Sequence, residues 1–92
     1  MSHSLSLNPA ESSTVAKLFS ELFKLTGGID YQLSMKREPE GVQVSLISIR
    51  DSNRSTFPML VSADGSTRKP IPELAQEATN TNANALRHPH KP

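Results

Sequence analysis

Cysteine is absent from this 92-residue chain, which removes disulfides, thiolate zinc sites and cysteine nucleophiles together. Tryptophan is absent too, and three Phe and one Tyr are the whole aromatic complement. Hydrophobic residues make up 35% of the chain, below the roughly 45–50% of ordinary domains. So lean a core suggests support from a protein partner or a second copy, that is, a homodimer. No stretch approaches the roughly 18 apolar residues of a membrane span. The opening MSHSLSLNPAESS has neither a basic start nor an apolar run of about seven, so no signal peptide is expected. A small secreted domain with this little core would normally carry disulfide staples, and a cytoplasmic, non-membrane protein is the expectation.

Charge of one sign is also scarce, the formal net charge being +1. Residues 1–28 carry two charges of each sign, residues 29–64 four basic and five acidic, and residues 65–92 four basic and two acidic. That small C-terminal excess is a weak footprint for nucleic acid, where strong salt-dependent binding takes about six to ten phosphate contacts.

What the sequence does have is clear punctuation. Asn8-Pro9-Ala10-Glu11 reads as a helix start, with Asn8 as N-cap, Pro9 in the first turn and Glu11 returning a bond to the Asn8 amide. Val15, Leu18, Phe19, Leu22 and Phe23 then recur at helical spacing, with Leu25 at the margin, which predicts a helix from Pro9 to about Thr26. Lys17 and Glu21 can pair across one turn, and Gly27-Gly28 supplies the positive φ of a C-cap.

From Ile29 the period changes to two. Ile29, Tyr31, Leu33 and Met35 share one face of a strand and Asp30, Gln32, Ser34 and Lys36 the other. Glu38-Pro39-Glu40-Gly41 fits a tight turn, after which Val42, Val44 and Leu46 alternate with Gln43 and Ser45. Ile47 and Ile49 fall in the opposite phase, which a bulge near Leu46-Ile47 or burial of both faces would explain. A polar loop is expected over Arg50 to Thr56, then a strand from Phe57 to Ala63 that Pro58 assigns to a sheet edge. Pro70 to Ala78 reads as a short helix with Ile71, Leu74 and Ala78 on its apolar edge, and Thr79 to Pro92 as a disordered tail.

The fold class expected is therefore α+β: an N-terminal helix packed on a three-stranded antiparallel meander, a short second helix and a disordered C-terminal tail. Residues 1–7 form a flexible N-terminus, 8–78 a single domain and 79–92 the tail. One helix covers one face only, so Ile47, Ile49 and Leu60 form an apolar group on the other, and with the Phe57 strand they are the expected partner-binding residues. The edge strand either accepts a strand from a partner or is covered by residues 66–78.

Catalytic chemistry is not assembled by these residues. His3, His88 and His90 all fall in segments expected to be disordered, so no metal site and no base for a serine nucleophile is expected. Asp30, Asp51 and Asp64 sit at strand ends where turn chemistry accounts for them. Gly27-Gly28 lies at a helix C-terminus, where the dipole disfavours phosphate. No cofactor is expected. The basic residues Lys36, Arg37, Arg50, Arg54, Arg68 and Lys69 are the candidates for an alternative function, nucleic-acid binding, although carboxylates stand beside several of them.

LFSELFKL, the hairpin centred on EPEG, the polar loop and FPMLVSADGS followed by PIPELAQEA resemble the small E component of the plasmid-borne PRTRC gene system over Val15 to Ala78. Pro72-Glu73-Leu74 is one residue shorter than the helix start of that family, and the loop before it is longer. The resemblance implies an accessory protein of a mobile genetic element, plasmid or phage, and carries over no catalytic residue. The functional expectation is a non-enzymatic protein-binding accessory or inhibitory module.

Overall fold

A computed structural model describes residues 6–87. The order is α1 (Pro9–Thr26), β1 (Tyr31–Glu38), β2 (Gly41–Arg50), β3 (Asn53–Ser62) and α2 (Ile71–Arg87), an α+β domain with the expected three-stranded antiparallel meander in the order β1-β2-β3.

The start of α1 is the one its residues specify. The Asn8 side chain accepts from the Glu11 amide at 2.7 Å and the Glu11 carboxylate accepts from the Asn8 amide at 3.0 Å, satisfying two of the donors a helix N-terminus leaves open. Gly27 closes the helix at φ 72, and Gly28 at φ 80 keeps the chain turning toward β1. Of the predicted stripe, Val15, Leu18 and Leu22 are buried and Phe19 packs against them, but Phe23 is 58% exposed. Phe23 lies beside the Gly28 backbone, where a Cβ would come within 2.5 Å of its ring. Strand β1 begins at Tyr31 rather than Ile29, because Asp30 takes a left-handed conformation with φ 61.

Strands β1 and β2 pair without interruption from Tyr31↔Ser48 to Glu38↔Gly41, and β2 and β3 from Gly41↔Ser62 to Arg50↔Asn53. No bulge breaks the ladder at Leu46-Ile47. Strict alternation alone sends Val42, Val44 and Leu46 inward, where all three are fully buried, and Ile47 and Ile49 outward. The expected polar loop over Arg50 to Thr56 contracts to Asp51 and Ser52, with Asp51 left-handed at φ 56, so Asn53 to Thr56 extend β3.

Both helices lie on the inward face. Helix α2 packs on β2, β3 and α1, while neither helix packs substantially on β1. Helix α2 also runs nine residues beyond its expected end, to Arg87 instead of Ala78. Its buried stripe is Leu74, Ala75, Ala78, Asn82 and Leu86, a helical period whose fourth member is polar. Asn82 is fully buried. It donates to the Leu46 carbonyl and the Ser48 hydroxyl, both at 3.0 Å, and accepts from the Ser55 hydroxyl at 2.9 Å, so burial leaves none of its polar atoms unpaired. The boundaries expected at 7 and 79 shift accordingly: Leu7 packs against the core and 79–87 are helical. Residues 1–5 and 88–92 lie outside the described residues.

Candidate interaction surface

The sheet face turned away from the helices is built by alternation. Across it run Gln32-Ile47-Thr56, Ser34-Ser45-Pro58 and Lys36-Gln43-Leu60, with Ile49 paired to Arg54 at one end. Ile47 and Ile49 are half-buried, and Leu60 is 40% exposed. Pro58, placed beside Ser45, bridges the gap between Ile47 and Leu60 in this register. The apolar residues thus form a diagonal strip from Ile49 through Ile47 and Pro58 to Leu60, bordered by Gln32, Lys36, Arg54 and Thr56. Neither helix covers it.

Phe57 does not belong to this strip. It pairs with Leu46 and packs against the core with Met59 and Val61 in the same phase, so it is the one expected partner-binding residue that faces inward. Pro58 takes its place, and the signal for it was available: once Leu60 is read as outward-facing, Pro58 shares its phase.

The outer edge of β3 is managed by two features. The Ala63 amide reaches across to the Glu40 carbonyl while the Ser62 amide points away to the Ser66 carbonyl, so by alternation the amides of even-numbered β3 residues face outward. Pro58 occupies one of those outward positions and has no amide to offer, as expected of an edge. Residues 66–70 leave a groove of about 320 Å³ beside Pro58, Leu60, Ser66, Thr67, Arg68 and Leu74. The edge is therefore closed at Ser62 and open along Pro58 and Leu60.

The six basic candidates are not brought together. Arg37 grips Glu11 with both guanidinium nitrogens, at 2.8 and 2.9 Å, and also donates to the carbonyls of Gly41 and Ser6. That fork holds the Glu11 carboxyl down at about 2, helped by the Asn8 amide, and raises the Arg37 guanidinium above its ordinary value. Lys36 stands 3.9 Å from Glu38, and Arg68 and Lys69 share Glu77 at 3.5 and 3.1 Å. Arg50 and Arg54 remain near the β2–β3 turn, but alternation places Arg50 on the helix side of the sheet and Arg54 on the open side. On α1, Glu21 pairs with Lys24 at 3.1 Å instead of Lys17.

The carboxylates follow turn chemistry. Asp30 and Asp51 supply left-handed backbone positions, and Asp64 accepts from the amide and hydroxyl of Ser66, bonds that lower its pKa. No cluster of metal-ligating side chains occurs among the described residues, and His3, His88 and His90 lie outside them. No described helix is long and apolar enough to cross a membrane. Comparison with known protein families, with curated proteins and with solved structures finds no match.

Proposed function

We propose that this chain is a non-enzymatic protein-binding module, an accessory or inhibitory protein of a plasmid or phage, whose partner docks on the open sheet face at Ile47, Ile49, Pro58 and Leu60. The observation that carries the reading is the diagonal apolar strip, which neither helix of the domain covers. The open edge of β3 beside it supplies backbone groups to which an extended segment of the partner can add. The mobile-element origin rests on the resemblance described above.

The test compares wild-type bait with Ile47→Lys and Ile49→Lys baits in quantitative capture from the native host, with far-UV circular dichroism as the folding control. A protein retained by the wild type and lost from both folded variants supports the surface. Equal capture by all three baits excludes it. The alternative, nucleic-acid binding through Lys36, Arg37, Arg50, Arg54, Arg68 and Lys69, has the weaker support, because four of these residues are engaged by carboxylates.

A further inference from the structure

The other sheet edge, β1, is unguarded in a way β3 is not. The Ile49 amide donates to the Asp30 carbonyl, so the even-numbered residues of β1 face β2 and the backbone groups of Tyr31, Leu33 and Met35 face outward. None of those three outward amides finds a partner among the described residues. Proline is absent from this strand, no bulge twists it away, and neither helix packs substantially on it. Its helix-side residues are correspondingly bare: Met35 is 40% exposed, and Tyr31 and Leu33 are only partly buried against the core. Just before the strand, Ile29 is 68% exposed and Phe23 58%. An unpaired, partly apolar edge of this kind is a template for strand addition.

We propose that a second copy of this chain occupies that edge, pairing β1 antiparallel to β1 about a two-fold axis at Leu33. Three symmetric registers, with axes at Leu33, Ser34 or Met35, engage three or more facing pairs of outward backbone groups within the strand, against two for axes at Gln32 or Lys36, and the side chains discriminate among the three. An axis at Ser34 sets Tyr31 against Arg37, which is already committed to Glu11, and Asp30 against Glu38. An axis at Met35 sets Leu33 against Arg37. Only the axis at Leu33 places Leu33 against Leu33 and Tyr31 against Met35 within the strand, leaving Arg37 opposite Ile29 beyond its start. It also brings Asp30 opposite Lys36 at both ends, where the exposed Lys36 exchanges its 3.9 Å contact with Glu38. That register forms six backbone hydrogen bonds between the copies, two for each of three facing pairs. Like-with-like apolar pairs and opposite charges are the pairings that stabilise an antiparallel ladder.

The assembly is a six-stranded sheet in the order β3-β2-β1-β1-β2-β3 with four helices on one face. It leaves the strip at Ile47, Ile49 and Leu60 free on each copy, so the proposal stands or falls independently of the partner surface above.

The absence of cysteine makes the register directly testable on the full chain. Gln32 and Ser34 are exposed on the open face, and in this register Gln32 of one copy faces Ser34 of the other in a non-hydrogen-bonded pair, about 4.5 Å between Cα atoms. Gln32→Cys alone and Ser34→Cys alone place their thiols two residues out of step. A 1:1 mixture of the two variants should therefore yield a disulfide-linked dimer under mild oxidation, and each variant alone should yield little.

Wild type should sediment as a dimer at about 100 µM, in the range of ordinary weak interfaces. Lys36→Glu should raise the dissociation constant by about tenfold by turning two opposite-charge pairs into like-charge pairs, and adding Asp30→Asn should recover part of that loss. A monomer at that concentration overturns the proposal. So does efficient crosslinking of Ser34→Cys with itself, or a dimer indifferent to Lys36→Glu.

Discussion

Glu11 is the residue at which three separated segments meet. Its side chain is almost wholly enclosed, 1% exposed, yet it remains ionised because the Arg37 fork and the Asn8 amide satisfy its oxygens. Arg37 extends the joint to the hairpin through Gly41 and to the N-terminal segment through Ser6. Arg37 is partly open to solvent, but removing it is costly because the enclosed Glu11 carboxylate is left uncompensated. The carboxyl titrates at about 2 in the folded chain, against an ordinary value of 4.5. A depressed folded value means that the stabilisation is fully present above the ordinary value and is lost as pH falls from there to about 2. Glu11→Gln keeps the shape and loses the charge. It should unfold at lower urea concentration than wild type at pH 7, and the difference between the two midpoints should close between pH 4.5 and about 2. Because Asp64 is lowered too, wild type and variant both retain some acid sensitivity, and the difference between them isolates Glu11. A gap that stays constant across that window would place the stabilisation elsewhere.

Among the elements, α2 is the one the sequence conveyed least. The N-terminal helix was legible because its cap, stripe and terminal glycine agree, and β1 and β2 were legible because a Pro-Glu-Gly turn fixes their register. The stripe of α2 is Leu74, Ala75, Ala78, Asn82 and Leu86, and its polar member falls in a stretch of Asn, Thr and Ala whose composition resembles a solvated tail. Only the facing strands reveal that Asn82 meets Ser48, Ser55 and a backbone carbonyl, because that polar patch joins the β2–β3 hairpin to a helix position 27 to 36 residues further along the chain. The open face was legible in part for a related reason: counting alternate residues separates Ile47, Ile49 and Leu60 from the core and already sets Phe57 in the opposite phase to Leu60, but the ladder was needed to place Pro58 beside Ser45, between Ile47 and Leu60. Truncation after Ala78 should accordingly be far more than the loss of a tail. It removes the burial of Leu86, worth about 1.5–3 kcal/mol, and the Asn82 bonds, whose loss strands the groups they satisfied at about 1–3 kcal/mol. Against the few kcal/mol available to so small a core, the truncated chain should lose its cooperative urea transition. Asn82→Ala in the full chain should keep that transition and shift its midpoint downward.

At the scale of the whole molecule, the distribution of charge decides between the partner classes better than its total. Ten basic and nine acidic residues could still form a nucleic-acid groove if the cations were gathered on one face. Instead, carboxylates engage Lys36, Arg37, Arg68 and Lys69, and Arg50 and Arg54 stand on opposite sides of the sheet at one end. Lys36 and Arg54 share the open face, but they sit in register with Gln43 and Ile49 of β2, about 20 Å apart along the strands at roughly 3.3 Å per residue. Each phosphate neutralised on duplex DNA steepens the slope of log affinity against log salt by about 0.9, and this arrangement offers one or two at a time. Binding to a fluorescent duplex, followed by anisotropy, should therefore be weak at about 50 mM salt, with a slope no steeper than about −2. A slope of about −5 or beyond would mean that the cations converge on the duplex after breaking their carboxylate pairs, and would return nucleic-acid binding to first place. An apolar strip behaves in the opposite sense, because exclusion of kosmotropic salt strengthens burial. The protein complex captured through Ile47 and Ile49 should thus survive, or tighten, in sulfate concentrations that abolish the residual DNA signal.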